Sequence, residues 1–278
     1  MTIPVGIMQG RLLPPYDGRF QAFPARAWRE EFPLAAEAGL SCIEWIYEKP
    51  HEQDNPLRTD IGLAELRALS ASSGVRVRSI CADYYMTERL VDEGAVVQAA
   101  NIEHLKWLIG RASLLEITYI VLPFVDASSL RSEAALAAVI AVLRDLAPHT
   151  ASYGVELHLE TDLPPATFRE LLAAIGHEKV KANFDIGNSA SLGYDPVEEL
   201  TALAPYLGSV HVKDRKLGGS TQPLGTGNAD LPAAFRMIRK TGFERWLILQ
   251  AARGEDGGEV ELARHNRDLT EKLWEAAA

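Results

Sequence analysis

Lys181-Ala-Asn-Phe-Asp-Ile-Gly-Asn-Ser189 reads as a short buried strand that ends in a carboxylate and breaks at a glycine. Side chains alternate across a strand, so Asn183 and Asp185 share one face and Phe184 takes the other. The neighbouring apolar runs repeat this design. In Val155-Glu-Leu-His-Leu-Glu160, the polar Glu156, His158 and Glu160 oppose Val155, Leu157 and Leu159. In Ser209-Val-His-Val-Lys-Asp214, His211 and Lys213 oppose Val210 and Val212. Gln250 lies opposite Leu247 and Leu249 in Trp246-Leu-Ile-Leu-Gln250. Consecutive strands thus aim Glu160, Asp185, His211 and Gln250 from their C-terminal ends toward one side.

Upstream of this block, strand-like and helix-like segments alternate. Strands are predicted at Pro4–Gln9, Ser41–Tyr47, Val75–Asp83 and Thr118–Phe124. A helix is predicted over about residues 25–38, stopped by Gly39, with Pro33 kinking it or delaying its start. Thr59 or Asp60 caps a second helix that ends near Gly74, and a third covers 101–115. Ser132 and Glu133 open a long one that stops near Gly154. Further helices are expected near 165–175, 196–204, 231–241 and 259–277. Eight strand–helix units in 278 residues predict an α/β fold, a (β/α)₈ TIM barrel occupying the whole chain, 1–278, as a single domain. An open doubly wound sheet is the runner-up. It would show a glycine-rich nucleotide fingerprint after its first strand, and Gly6-Ile-Met-Gln-Gly10 does not match one.

With 47% hydrophobic and 24% charged residues, the chain has material for a full core. Its formal net charge of -10 disfavours nucleic acid and anionic membrane surfaces as partners. Cys42 and Cys81 sit in apolar runs, without zinc-type spacing, and read as buried thiols in a reducing compartment. The N-terminus shows no basic region followed by an apolar stretch, and the longest apolar run, 134–143, is too short to span a bilayer. A soluble cytoplasmic protein is the expectation.

Barrel active sites form at the C-terminal ends of the strands. The polar inventory there is Gln9, Glu44, Asp83, Glu160, Asp185, Asn188, His211, Lys213 and Gln250. Glu160, Asp185, His211 and Gln250 offer two carboxylates, an imidazole and an amide oxygen. That set suits one divalent ion of manganese, magnesium, cobalt or zinc, and argues against copper or iron–sulfur. Each residue also has a plainer role. Asp185 could cap a helix, Asp126 and Asp162 could cap loops, and His158 and His211 could be satisfied core histidines. The positional rule shared by all four strands favours the metal.

Glu160, Phe184-Asp-Ile-Gly-Asn188, Val210-His-Val-Lys-Asp214 and Leu224-Gly-Thr-Gly-Asn228 together resemble the xylose-isomerase-like barrels of the sugar phosphate isomerase/epimerase superfamily. The closest look is to the pentulose 5-phosphate and hexulose 6-phosphate 3-epimerases. The resemblance implies a divalent metal held by Glu, Asp, His and Glu, the two glutamates acting as acid and base on opposite faces of the substrate. It also implies a homodimer or tetramer. Glu160, Asp185 and His211 match this set, but Gln250 stands where the second catalytic glutamate belongs. An amide can ligate through its oxygen but cannot titrate. Three accounts stay open. Either Glu160 alone moves a proton along one face, or a second base comes from Glu44, Asp83 or His158, or the barrel has turned to other chemistry or to sugar binding without turnover.

For the substrate, Lys213, Arg215, Lys216 and Arg253, with the backbone N–H groups of 218–228, predict a site for a phosphorylated or carboxylated end. Glu44, Asp83 and Asn188 complete the expected substrate-binding set, and Trp45, Tyr47, Tyr84 and Tyr85 offer walls. The expected ligand is a small sugar or sugar phosphate. DNA-repair endonucleases share this barrel family but use a larger, histidine-rich zinc cluster. Only His158 and His211 lie on inward parities here, and the acidic net charge opposes that reading.

Overall fold

In the computed structural model, which describes residues 3–278, the apolar runs form eight parallel barrel strands. These are β1 (Val5–Met8), β2 (Cys42–Ile46), β3 (Arg76–Cys81), β4 (Tyr119–Phe124), β5 (Glu156–Thr161), β6 (Val180–Asp185) and β7 (Leu207–Val212). A short antiparallel hairpin of β8 (Asp214–Arg215) and β9 (Thr221–Gln222) precedes the last barrel strand, β10 (Leu247–Leu249). The ring order is β1-β10-β7-β6-β5-β4-β3-β2, so first and last strands pair and the barrel has no open edge. The closed barrel, not the open sheet, is the fold.

Ten helices surround and cap it among the described residues. They are α1 (Glu31–Glu37), α2 (Asp60–Ser73), α3 (Tyr84–Thr87), α4 (Ala95–Leu114), α5 (Glu133–Ser152), α6 (Pro165–Ile175), α7 (Ile186–Leu192), α8 (Pro196–Leu203), α9 (Leu231–Lys240) and α10 (Glu259–Ala276). Helix α1 starts at Glu31 rather than near residue 25. Pro33 thereby falls in the first turn, where its missing N–H costs no helical bond. Of the two expected caps, Thr59 rather than Asp60 caps α2, accepting from Gly62 N at 3.0 Å. Helix α4 begins well before residue 101, and α3, α7 and the hairpin were not legible as elements. Helix α5 with Tyr153 is long and apolar enough to cross a membrane by length and composition. It is instead a wall helix, with Val139, Leu143, Leu146 and Ala147 fully buried. Cys42 and Cys81 are free and buried.

The barrel interior is polar along its axis. At the N-terminal mouth, Arg245 Nη1 donates to Glu156 Oε2 at 2.5 Å, and that oxygen lies 3.0 Å from His158 Nε2. His158 Nδ1 meets Ser209 Oγ at 2.8 Å, and Ser209 Oγ donates to Asn183 Oδ1 at 2.6 Å. Asn183 in turn reaches the C-terminal end of the barrel. Buried polar groups need such partners, so the chain of bonds fixes each rotamer in it. Gly208 makes room for it, because a Cβ there would sit 2.6 Å from the His158 ring. His158 is thus a satisfied interior residue, its pKa pushed down to about 4 chiefly by burial.

Glu31, at the start of α1, is fully buried and its Oε1 accepts from Gly10 N at 2.5 Å. Burial raises its pKa to about 8, against the hydrogen bonds that lower it. The folded-state value lies above the unfolded one. Its stabilising, protonated form is therefore complete at low pH and lost as pH rises through about 8. The Glu31→Gln variant should gain stability over wild type between pH 5 and 9, by about 2–4 kcal/mol at the upper end. Thermal unfolding of both proteins across that range checks it, and parallel curves would refute it.

Candidate metal centre and active site

Each metal-ligand candidate arrives from a strand end. Glu160 is the fifth residue of β5, Asp185 is the last residue of β6, and His211 is the fifth of β7. One donor atom from each lies within 4.8 Å of the other two. His211 Nδ1 stands 3.4 Å from Glu160 Oε2 and 3.8 Å from Asp185 Oδ2. Its other nitrogen, Nε2, is 2.6 Å from Glu44 Oε1, and Ser79 Oγ donates to Glu44 Oε2 at 2.7 Å. Glu44 therefore orients the imidazole so that Nδ1 faces the two carboxylates. A carboxylate behind a histidine is the usual support of a metal-binding imidazole. Burial alone would push the His211 pKa down, but Glu44, Asp185 and Glu160 together raise it well above its ordinary value.

Asp185 does two jobs. Its Oδ1 accepts from Asn188 N at 2.8 Å and starts α7, while its Oδ2 faces the cluster. The cap and the ligand are not alternatives, because a carboxylate has one oxygen for each. Burial opposes its charge, but Lys213 and His211 outweigh that and hold its pKa low. Lys213 Nζ lies 3.3 Å from Asp185 Oδ2 and 3.0 Å from Gln250 Oε1, bridging the two. Glu160 is fixed by two amides: Asn188 Nδ2 donates to Oε1 at 2.6 Å and Asn183 Nδ2 to Oε2 at 3.1 Å. The donor set of two carboxylates and one imidazole, with its carboxylate backing, fits a divalent cation. Gln250 Oε1 lies at the edge of this set, across the Lys213 ammonium.

Above the cluster opens a cavity of about 380 Å³. Glu160, Asp83, Asn188, Lys213, Arg215 and Gln250 line it, with Phe20 and Gln21 from the β1–α1 loop. Two sequence expectations are corrected here. Arg253 does not face the cavity. Its guanidinium donates to the carbonyls of Gly10, Leu13 and Phe20 at 2.7, 2.9 and 2.8 Å, and so ties down the β1–α1 loop. Glu44 is fully buried beneath His211 and does not line this cavity. The glycine-rich loop also differs from expectation. Asp214, another fully buried carboxylate, collects the N–H groups of Gly225, Gly227 and Ala229 at 2.8–3.0 Å. The anion in that nest is the protein's own side chain. Arg215 keeps its place at the cavity, donating to Asn188 Oδ1 at 2.9 Å and to Gly219 O.

Tyr47, Tyr84 and Tyr85 pack around His104 outside the cavity, with the Tyr84 and His104 rings stacked 4.3 Å apart. Trp45 is core, edge-on to Trp28. Gln21 and Asn183 are site residues that the sequence did not single out. Asn183 shares the inward parity of Asp185, which was a usable signal. Gln21 lies in an irregular loop, where no periodicity marks it.

Fold and donor cluster together define a (β/α)₈ barrel with a group able to hold a metal ion at its C-terminal mouth. The pattern of the xylose isomerase-like TIM barrel family matches residues 32–273, and the chain belongs to that family. A 2-epi-5-epi-valiolone 7-phosphate 2-epimerase of Actinoplanes sp. is 26% identical over 244 residues, covering 86% of this chain and 83% of that protein. Among solved structures, an L-ribulose 3-epimerase superposes with a TM-score of 0.77 at 19% identity, over 100% of this chain and 96% of the other. A xylose isomerase-like TIM barrel protein from Mycobacterium smegmatis in complex with magnesium gives a TM-score of 0.73 at 19% identity, over 100% and 98% of the two chains. At such identities these two likenesses speak to the fold alone.

Proposed function

We propose that the protein is a divalent-metal-dependent isomerase or epimerase of a ketose or ketose phosphate. The convergence of Glu160, Asp185 and His211 on one point, with Glu44 behind the histidine, carries this reading. The epimerase relative, whose name specifies a phosphate ester, supports the substrate class. Glu160, Asp185 and His211 would hold the cation, with Gln250 Oε1 as a fourth donor once Lys213 moves aside. When bound, such a cation would supply a Lewis acid for the substrate carbonyl. The Glu160 carboxylate takes the proton from the carbon beside that carbonyl, leaving the substrate as an enediolate. Asn183 and Asn188 keep that carboxylate aimed. Lys213 and Arg215 face the anionic or hydroxyl-rich end, and Phe20 closes one wall.

Metal analysis tests the centre. Wild-type protein supplied with manganese should hold about one ion per chain, and the Asp185→Ala/His211→Ala variant none. Solvent deuterium should then enter a ketose or ketose phosphate when the loaded wild type is present. A chain that binds no manganese, magnesium, cobalt or zinc would refute the mechanism. Gln250 favours a second reading, a sugar-binding barrel without turnover, because its amide cannot titrate. Tight ketose binding with no deuterium entry would select it.

A further inference from the structure

Inversion at a carbon needs two proton-transfer groups, and the Gln250 amide supplies no titrating proton. The sequence offers Glu44, Asp83 and His158 as replacements. Glu44 is sealed beneath the site with both oxygens engaged, by His211 and Ser79. His158 lies deeper still, stacked on Tyr119 at 4.2 Å, with both nitrogens bonded. Asp83 also has both oxygens accepting, from Gln21 Nε2 at 2.7 Å and from Cys81 Sγ at 3.2 Å, but unlike those two it lines the same cavity as Glu160. Two other carboxylates line it. Asp162 follows closely after Glu160 on the same strand end, and both its oxygens are bonded to Ser129 Oγ at 2.7 Å. Asp126 is exposed on the rim, in a turn of its own.

Asp83 is also wired to the position that lacks the glutamate. Gln21 Oε1 accepts from Gln250 Nε2 at 3.1 Å and from Arg11 Nη2 at 3.2 Å. Those two donors fix the Gln21 amide, so its Nε2 must point the other way. There it donates to Asp83 Oδ2 at 2.7 Å. The bonds run in one direction, from Lys213 to Gln250, to Gln21, to Asp83. A glutamate at 250 would place an acceptor against Gln21 Oε1 and break this order. In the ring, β3 stands opposite β7, so Asp83 reaches a substrate from the wall facing His211.

We infer that Asp83 is the second proton-transfer group of this active site, serving the face of the substrate carbon that Glu160 does not, with Gln21 as its positioning residue. The inference rests on the proposed epimerase reading. One C–H bond breaks, its electron pair staying on the substrate and its proton passing to the Glu160 carboxylate. A new C–H bond forms on the other face with the carboxyl proton of Asp83, which becomes a carboxylate. Proton exchange with solvent restores both. Asp83 is suited to this because burial raises its pKa to about 6, Glu48 and Glu160 adding to the rise against the bonds from Gln21 and Cys81. Arg11 and Arg19 are the cations that face it.

The test uses manganese-loaded full-length wild type and Asp83→Asn in deuterated water. The probes are D-fructose, D-tagatose, D-ribulose 5-phosphate and D-xylulose 5-phosphate. Deuterium entry and epimer formation are read separately. Asp83→Asn should lower epimer formation by about 100-fold or more, while deuterium entry stays within about threefold for the epimer whose C–H faces Glu160 and falls for the one whose C–H faces Asp83. Partial recovery in Asp83→Glu supports the same role. Wild-type inversion that survives in Asp83→Asn, or a fall of both signals together with every probe, overturns the inference and leaves the proposed function standing. So does a wild type that exchanges without inverting. No exchange by wild type with any probe overturns the proposed function and this inference with it. A readout free of turnover is the ¹³C-carboxyl NMR titration of aspartate-labelled metal-free protein. The signal absent from Asp83→Asn should titrate near 6 and move upward in Gln21→Leu. Titration near the ordinary aspartate value of about 3.9 would overturn the assignment.

Discussion

The Glu160→Gln variant should exchange solvent deuterium into the substrate about 100- to 10,000-fold more slowly than wild type, the range that a positioned base contributes. Among the described residues, Glu160 is the one carboxylate that both belongs to the donor cluster and lines the cavity. Its oxygens already accept from Asn188 and Asn183, at 2.6 and 3.1 Å, so its approach direction is set before any substrate enters. Glutamine cannot reproduce this arrangement. Its NH₂ would meet one of two amide donors, and one bond would be lost. Glu160→Ala, which removes the conflict along with the base, should fall in the same range. Metal content measured beside the rates separates loss of the base from loss of the ion. A variant that keeps its metal and retains more than one-tenth of the wild-type exchange rate would show that another group removes the proton.

Glu44→Ala should destabilise the fold by about 3–5 kcal/mol, the cost of breaking a buried charged pair. The Glu44 and His211 side chains are both fully buried, and their 2.6 Å bond satisfies the imidazole on its inner side. Removing the carboxylate leaves that nitrogen and the Ser79 hydroxyl without their partner. The same change frees the ring to turn, so metal affinity should drop about 10- to 100-fold. Glu44→Gln keeps an acceptor and should lose far less stability. Denaturant unfolding and manganese titration of the two variants give both quantities. Equal stability of Glu44→Ala and wild type would mean that the pair contributes nothing net.

These effects show what the sequence could and could not reveal. Glu160, Asp185 and His211 were legible because a polar residue on the buried parity of an apolar strand must have a reason to be there. Parity gives a face but not a height. Glu44 obeys the same rule, yet it sits in mid-strand beside a register shift between Ile43 and Glu44, and so lies below the site. Charge was a poorer guide still. Arg253 and the N–H groups of Gly225 and Gly227 looked free because nothing local pairs with them. Their partners are the β1–α1 loop, far off in sequence, and Asp214, which the loop curls back to meet. A tertiary hydrogen bond leaves no periodic trace. Helix α7 escaped for a related reason, since its start depends on Asp185, a residue already claimed by the strand before it.

The clasp of Arg253 on Gly10, Leu13 and Phe20 has a bearing on how the protein is born. A ribosome releases β5, β6 and β7, with all three charged donors, before it makes β10 or Arg253. Until β10 pairs with β1, the loop that carries Phe20 and Gln21 has neither its clasp nor its bond to Gln250. The three donors are therefore made while the loop that faces them is still unclasped and the barrel unclosed. The donor residues and the clasp that completes the wall across from them are thus supplied at separate moments in the life of the polypeptide.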